Sequence, residues 1–319
     1  MEKPDIRFSI ITPVYNRSDC ISRCIDSVIM QNRKDLECWI IDDGSSDNTF
    51  EIVSEYAESN SFIRTHKFET NKGVNAARNY AIEKASGKYI IFLDSDDFFV
   101  KDAIDTIDRF LIKNPCYRHY LFLQDDREEY YKNNSFLFKQ GEVVELMFEN
   151  FLSGQVSGDF VHVMDADILK KYPFEESLRI YEALSLLKVI RECKKILLIP
   201  SIISKRERNR KDSVSRDYIP NKKSIISNKY HYAKSWIATF KDDFPSGEKD
   251  ILAKIVVEAY LLGLALGKYK ELDSFITLSF QLKKIPWYYR IFELLRLGWF
   301  VRYLIFVYTS MKNYKKVDL

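Results

Sequence analysis

The sequence is poor in glycine and has no regular cysteine spacing. Only 10 of its 319 residues are glycine, whereas tyrosine (20) and phenylalanine (22) are abundant, which argues against a fibrous or disordered chain. The five cysteines are scattered, and no pair has the C-x-x-C spacing of a zinc site. Reduced thiols of this kind are typical of the cytoplasm, so we expect a cytoplasmic protein.

Membrane and nucleic-acid signals are also missing. The segment from Met1 to Asp5 lacks the apolar core of a secretory signal. No uninterrupted apolar run reaches the ~20 residues that a membrane-spanning helix needs. The net charge of +3 gives no reason to expect a nucleic-acid partner. With 46% hydrophobic residues, the chain can bury a large core.

Apolar strands alternate with helical patterns through the first hundred residues. The β-branched run Phe8–Thr12, ended by Pro13, predicts a buried first strand, and similar runs follow at 38–41, 62–67 and 89–93. Apolar residues at helical spacing predict intervening helices over 18–31, from residue 50 onward and over 74–85. This alternation predicts an α/β fold with a mainly parallel sheet flanked by helices.

Two acidic clusters follow the ends of predicted strands. Asp42-Asp43 ends the second strand, and Asp94-Ser95-Asp96 ends the fourth. Ligands of parallel sheets bind at the carboxyl ends of the strands, so both clusters are expected at the binding edge. Carboxylate pairs suit a hard divalent cation that keeps substrate phosphates in its shell. The sequence therefore predicts a site for Mg²⁺ or Mn²⁺ at Asp94 and Asp96.

Three other classes use similar acidic motifs and fit less well. A dinucleotide-binding enzyme needs a glycine-rich turn after the first strand, where this chain has Pro13 to Arg17. An EF-hand starting at Asp94 needs glycine and glutamate where Phe99 and Asp105 stand. A haloacid-dehalogenase-type phosphatase carries Asp-x-Asp after the first strand, followed by Thr or Val. Here the motif follows the fourth strand and continues to Phe98.

Four motifs, in order, resemble the family 2 glycosyltransferases of the GT-A fold. They are Phe8–Asn16, Ile41–Asp47, Asn71–Asn79 and Gly87–Asp97, and the resemblance covers about residues 6–115. It implies a metal-dependent enzyme that moves a sugar from a nucleotide-diphosphate sugar, most often a UDP-sugar, to a hydroxyl group with inversion. Such enzymes make surface polysaccharide or glycolipid, so the implied acceptor is a saccharide or a lipid-linked saccharide.

The resemblance also implies roles for individual residues. Residues that would hold the base and ribose are Pro13, Val14, Tyr15, Asn16, Asp42 and Asp43. Residues that would approach the nucleotide from the next loop and helix are Lys72, Arg78 and Asn79. The metal and the sugar would be bound at Asp94, Ser95 and Asp96, with Asp96 counted among the catalytic residues and Asp97 as a further ligand.

The acceptor-side segment departs from the family pattern at one position. Residues 174–183 resemble a segment that usually ends in Glu-Asp, and that Asp deprotonates the acceptor hydroxyl. Here Glu182 is followed by Ala183, which cannot accept a proton. We predict Glu182 as the base. A one-residue alignment slip and a catalytically impaired sugar-nucleotide-binding or scaffold protein are the alternatives, and Glu182 also suits a plain helix start.

The domain prediction assigns residues 1–218 to a GT-A catalytic domain and 219–319 to a helical C-terminal region. Within the first, 1–115 forms the nucleotide-sugar half and 116–218 the acceptor-side half. The loop after Lys205 offers Arg206 or Arg208 to a diphosphate, or is simply a solvated charged loop. The four histidines are isolated in sequence, which favours a structural role for each, although His162, in the acceptor-side half, could approach the metal.

The C-terminal segment is aromatic and basic. From Lys283 to Leu319, eight Lys or Arg residues stand against Glu293 and Asp318, a local excess of +6. Apolar and aromatic residues flanked by basic ones are typical of a helix lying in an anionic membrane interface. A helix that covers the protein's own core fits the pattern equally well. Peripheral attachment to the inner face of the cell membrane is therefore one of two expectations.

Overall fold

The structure is a computed structural model that describes residues 6–137, 142–178, 181–207, 223–244, 250–282 and 294–304. The chain divides into two compact units, Met1–Asn209 and Arg210–Leu319. The domain boundary predicted between residues 218 and 219 lies within 208–222, outside the described residues.

One large sheet forms the centre of the first unit. Its strands are β1 (Phe8–Val14), β2 (Leu36–Asp42), β3 (Ile63–Lys67), β4 (Tyr89–Phe92), β5 (Phe98–Phe99), β6 (His119–Gln124), β7 (Val144–Met147), β8 (Val161–Asp165) and β9 (Lys195–Lys205). Their order is β3-β2-β1-β4-β8-β6-β9-β5, and β7 also pairs with β9. The first four strands are parallel, as predicted. Beyond β4 the sheet is mixed, because β8 runs antiparallel to both of its neighbours.

Helices cover both faces of this sheet. They are α1 (Ile21–Ile29), α2 (Thr49–Ser59), α3 (Val74–Lys84), α4 (Ala103–Lys113), α5 (Glu128–Asn133), α6 (Phe148–Leu152), α7 (Ala166–Lys171) and α8 (Ala183–Cys193). Side chains alternate along each strand, so Ile10 and Ile11 of β1 enter two different core clusters. One cluster includes α1, α2 and α4, and the other includes α3, α7 and α8.

Two local features place the helices around the binding edge. Helix α1 begins at Ile21 rather than at the predicted residue 18, and the backbone amides of Arg17 and Ser18 donate to Thr49 and Asp47 at 2.7 and 3.2 Å. Helix α3 presents the buried small residues Ala77 and Ala81 to the sheet. Small side chains allow a helix to lie close to the strands. The loop before α3 reaches the carboxyl end of β2, where the Gly73 amide donates to Asp43.

The second unit is helical in its described part. It contains α9 (Lys223–Phe240), α10 (Asp250–Leu266) and α11 (Leu272–Leu282), and α10 packs against both neighbours. The predicted apolar helix at 251–266 is confirmed by α10. Of the predicted membrane segment, residues 294–304 are described, and there Arg302 donates to the Ala265 carbonyl at 3.2 Å. Within the described residues no helix is both long enough and apolar enough to cross a membrane.

Candidate active site

The turn after β1 and the turn after β2 are joined by hydrogen bonds. Asp42 is fully buried, and its Oδ1 accepts the amide of Ser45 at 2.6 Å. The Ser45 hydroxyl accepts the Asn16 amide at 2.9 Å, and Asn16 Oδ1 accepts the Ser46 amide at 2.9 Å. Asn16 has φ +49°, a conformation that asparagine tolerates better than most residues. These contacts give the two predicted nucleotide turns one fixed arrangement.

Three neighbouring residues of the first turn differ in what they can offer a nucleotide. Pro13 and Val14 are the last two residues of β1, and both are buried. Tyr15 follows them and is 44% exposed. An exposed aromatic ring beside this edge provides a flat surface on which a base could stack.

Asp43 organises the loop before α3. Its Oδ1 accepts the Lys72 amide at 2.6 Å, and its Oδ2 accepts the Gly73 amide at 2.8 Å. Gly44 has φ +78°, and a Cβ there would lie 2.9 Å from the backbone nitrogen of Asn71. Only glycine fits this position without displacing the loop. The Lys72 ammonium lies 4.5 Å from the centroid of the Phe68 ring.

Arg78 connects the two halves of the first unit. Its buried guanidinium donates to Asp94 Oδ1 at 3.2 Å and forms an ion pair with Glu182. The rings of Phe92 and Phe174 lie 5.4 and 5.6 Å from the guanidinium carbon. Burial works to lower the pKa of Arg78, but its two carboxylate partners raise that pKa above its usual value. The predicted metal carboxylate and the predicted base therefore share one buried cation.

Asn79, the next residue of α3, is bound to the acceptor-side segment. Its Nδ2 donates to the Phe174 carbonyl at 2.9 Å and to Glu176 Oε1 at 3.0 Å. Its Oδ1 accepts the Phe174 amide at 2.8 Å. Both polar atoms of the Asn79 side chain are therefore used in these hydrogen bonds, and a nucleotide would have to compete for them. Direct contact between Asn79 and the nucleotide remains a prediction.

Helix α1 holds the acidic turn after β4 from behind. The thiols of Cys24 and Cys20 donate to the carbonyls of Asp94 and Ser95, both at 3.7 Å. The Asp94 side chain is 51% exposed, whereas Ser95 is buried. The Asp96 carbonyl accepts from the Arg23 guanidinium at 3.3 Å. The backbone of the turn is thus anchored to α1 while Asp94 is open to a ligand.

Asp97 adds a buried carboxylate behind this turn. Its Oδ2 accepts from Gln124 at 2.7 Å, and its Oδ1 is buried without a hydrogen-bond partner among the described residues. Burial, together with the charges of Asp94 and Asp96, raises the pKa of Asp97 to about 8. A cation bound at this turn would give Asp97 Oδ1 a partner and would reduce the repulsion among the carboxylates of Asp94, Asp96 and Asp97.

The acidic turn fits a hard divalent ion only when substrate completes the shell. Among the described residues, no group of three His, Cys, Asp or Glu side chains is arranged to hold a metal. Mg²⁺ commonly takes one or two protein carboxylates and fills its other positions with water and phosphate oxygens. Asp94 and Asp96 suit that mode of binding.

Arg206 lies at the end of β9, where its guanidinium is already occupied. It donates to Gln124 Oε1 at 2.7 Å, to Asp126 at 3.1 Å and to Asp159 at 3.5 Å. This arrangement fixes the start of the basic loop, and binding of a diphosphate by Arg206 would have to displace some of these contacts. Arg208, the other predicted clamp, lies outside the described residues.

The fold brings together two histidines that are 43 residues apart. His119 Nε2 and His162 Nδ1 lie 2.8 Å apart across the β6–β8 ladder. Burial lowers the pKa of His162 to about 4, with Asp159 opposing and Arg78 adding to this shift. Burial also lowers the pKa of His119 well below its usual value. No sequence pattern predicts this pair, because it depends on which strands are neighbours in the sheet.

The chain is similar to known glycosyltransferases in sequence. Residues 9–146 match the sequence model of "Glycosyl transferase family 2". The chain is 30% identical over 258 residues to an Escherichia coli protein named UDP-Glc:alpha-D-GlcNAc-diphosphoundecaprenol beta-1,3-glucosyltransferase WfgD, with 77% of this chain and 99% of that protein covered. Uncharacterized glycosyltransferases from Rickettsia felis, Rickettsia conorii and Haemophilus influenzae are 38–40% identical to the chain over the matched residues. These matches cover 33–48% of this chain but only 23–42% of the length of those relatives.

Solved glycosyltransferases share the fold. Staphylococcus aureus TarS 1-349 in complex with UDP-GlcNAc superposes with a TM-score of 0.62 at 20% identity, covering 82% of this chain and 76% of that one. The mannosyltransferase PcManGT from Pyrobaculum calidifontis, in complex with GDP-Man and Mn²⁺, gives a TM-score of 0.57 at 14% identity, covering 96% and 89%. The predicted GT-A fold is therefore confirmed.

The lowered pKa values of the histidine pair lead to a prediction about pH. Both rings should stay neutral between about pH 5 and pH 8, whereas in the unfolded chain they should titrate near pH 6.5. The unfolded state then binds more protons below pH 6.5, so the pair's contribution to stability falls as the pH drops from about 6.5 towards 4. Proton NMR titration of the imidazole resonances of His119 and His162 measures this. Titration of either of these two rings between pH 6 and 7 in the folded protein would contradict the prediction.

Proposed function

Because the chain belongs to glycosyl transferase family 2, we propose that it transfers a sugar from a nucleotide-diphosphate sugar to a hydroxyl group of a saccharide or lipid-linked saccharide. The observation that carries this proposal is the meeting of four family motifs at one sheet edge, with Arg78 joining Asp94 to the acceptor side at Glu182. The product would belong to a surface polysaccharide or glycolipid.

A UDP-sugar is the donor we propose. The E. coli relative is named for UDP-Glc, and one structural neighbour was solved with UDP-GlcNAc. In this chain, exposed Tyr15 would meet the base, and the backbone of the Pro13–Asn16 turn would approach the ribose. Buried Asp42 and Asp43 keep the turns in place. Lys72, an exposed residue of the loop before α3, would approach the nucleotide with its ammonium group.

A divalent ion at Asp94 and Asp96 would stabilise the negative charge that develops on the departing diphosphate. This chain's own part is to hold the turn rigid through α1 and to aim half-exposed Asp94 outward. The ion pair with Arg78 compensates the charge of Asp94 when no metal ion is bound.

Substitution of Asp96 tests the donor site. Asp96→Asn should lower the affinity for UDP-sugar in the presence of Mn²⁺ at least about tenfold, since a neutral amide is a poor ligand for a hard cation. Isothermal titration with UDP-glucose, with and without Mn²⁺, measures the effect. Glu58→Gln, which changes an exposed carboxylate of α2, is the matched control and should bind as the wild type does. Equal affinity for both variants would remove Asp96 from the donor site.

Glu182 is the base that we propose. Ala183 is the first residue of α8, so Glu182 at the N-cap is placed where the helix meets the site. Its carboxylate is 41% exposed and is held by Arg78. The diphosphate of a bound donor would compete for this guanidinium, which would leave Glu182 to accept the proton of the acceptor hydroxyl. Attack from the side opposite the diphosphate gives inversion.

A non-catalytic sugar-nucleotide-binding protein is the second candidate, because Ala183 stands at the family's base position. The ion pair between Arg78 and Glu182 favours this reading if Glu182 never leaves Arg78. The two candidates differ in one result, since a binding module would bind UDP-sugar without turning it over.

Glu182→Gln should lower kcat by roughly 10²–10⁴-fold, the range for loss of a general base, with little change in donor affinity. Glutamine keeps an oxygen for Arg78, so the fold should survive, and circular dichroism checks this. The companion variant is Ala183→Asp. If Ala183→Asp raises activity while Glu182→Gln has no effect, Glu182 is not the base.

We further propose that the second unit binds the cytoplasmic face of the membrane. Residues 298–304 are helical, and Trp299 and Tyr303, four residues apart, are 65% and 58% exposed. Leu295, in the preceding turn, is 62% exposed. With the local excess of basic residues, this face suits an anionic interface. The free thiols fit a reducing compartment.

The double substitution Trp299→Ser/Tyr303→Ser should reduce binding to anionic vesicles about tenfold or more, because it removes the two aromatic rings that the membrane interface would bury. Co-sedimentation with phosphatidylcholine vesicles containing phosphatidylglycerol gives the bound fraction. Ile112→Ser, which removes a 66% exposed side chain of α4, serves as control. Undiminished binding by the double variant, or none by the wild type, speaks against this surface.

A further inference from the structure

The histidine pair lies on the site side of the sheet. In the β4–β8 ladder Ile91 is paired with Val163, so the next position along places His162 beside Phe92. Ile91 and Val163 belong to one core cluster, whereas Phe92 packs against the other. Since side chains alternate along a strand, His162 lies on the same face as Phe92. The Arg78 guanidinium is 5.4 Å from the Phe92 ring, on this face.

The hydrogen bond between the rings restricts where their protons lie. Two neutral imidazoles carry one N–H each, and one of these hydrogens must lie between His119 Nε2 and His162 Nδ1. His119 Nδ1 is buried and has no partner among the described residues. A buried N–H without an acceptor is rarer than a bare acceptor. His119 therefore carries its hydrogen on Nε2 and donates it to His162.

This tautomer leaves the hydrogen of His162 on Nε2. His162 is only partly buried, and its Nε2 is not one of the buried unpartnered atoms. Among the described residues no hydrogen bond to this Nε2 is formed, so the N–H faces accessible space. The low pKa of His162 keeps the ring neutral, which makes Nε2 a donor of fixed direction at any pH near neutrality.

We propose that His162 is a substrate-binding residue whose Nε2–H donates to a sugar hydroxyl oxygen on the face of the sheet that carries Arg78, and that His119 is the positioning residue that fixes its tautomer. The proposal rests on the proposed function. A neutral N–H suits an uncharged hydroxyl oxygen, whereas a phosphate is bound more strongly by a charged donor. The hydroxyl belongs either to the donor sugar or to the acceptor sugar.

The test compares His162→Leu with His162→Gln, whose amide keeps a donor. His231→Gln, at an exposed position of the second unit, is the matched control. Affinities for UDP and for UDP-glucose, and the KM for a lipid-linked saccharide acceptor, are measured for each. His162→Leu should lose about tenfold, the effect of one hydrogen bond, and His162→Gln should recover part of it.

The arms of the experiment separate the two sources of the hydroxyl. Weaker binding of UDP-glucose with unchanged binding of UDP assigns it to the donor sugar. A higher acceptor KM with unchanged UDP-glucose affinity assigns it to the acceptor. If His162→Leu is folded and changes none of these values, the proposal is overturned. Wild-type protein that neither binds nor uses any UDP-sugar contradicts the proposed function itself.

A spectroscopic measurement covers the case in which His162→Leu does not fold. Nitrogen-15 NMR of the wild type should show His162 as the Nε2–H tautomer, and its ring resonances should move on addition of UDP-glucose or acceptor more than with UDP. The Nδ1–H tautomer, or equal shifts with UDP alone, overturns the proposal. His119→Gln should change the tautomer balance of His162 without contacting substrate.

Discussion

The site depends on the charge compensation of one buried guanidinium. Arg78 is 6% exposed, and a cation in such a place is tolerated only when carboxylates and hydrogen bonds replace its water. Its two carboxylate partners come from different parts of the chain, Asp94 from the end of β4 and Glu182 from the start of α8. Loss of either would leave the charge partly uncompensated. Arg78 therefore ties the donor edge to the acceptor side.

The placement of Arg78 follows from the loop before its helix. Asp43 binds the amides of Lys72 and Gly73, and Gly44 allows the backbone of that loop to approach closely. The start of α3 is thereby fixed against the end of β2. Residues that resemble nucleotide ligands in sequence thus build the frame of the site first. They can contact a nucleotide only through the atoms that these hydrogen bonds leave accessible.

Much of the first half could be predicted from local signals. Short β-branched runs gave the parallel strands β1 to β4, and acidic residues directly after β2 and β4 gave the binding edge. Parallel strands put their ends on one edge, so no distant contact had to be known.

The rest depended on contacts between distant segments. The antiparallel insertion of β8 beside β4, the pairing of His119 with His162 and the use of Asn79 to hold Phe174 have no periodicity that marks them in the sequence. The hydrogen bonds from Arg17 and Ser18, just before α1, to Thr49 and Asp47 likewise join segments that are distant in the sequence. Arg206 looked free for a phosphate, but Gln124 and two aspartates of the acceptor side surround it. Tertiary contacts decided each of these features.

Sugar transfer itself tests the central claim most directly. The protein is incubated with a panel of radiolabelled UDP-sugars and a lipid-linked saccharide, with and without Mn²⁺, and the label is followed into the lipid fraction. The account predicts that at least one UDP-sugar transfers its label and that removal of Mn²⁺ stops the transfer. Tight binding of UDP-sugars with no label in lipid or water-soluble product would contradict it, because the site would then bind its donor without catalysis.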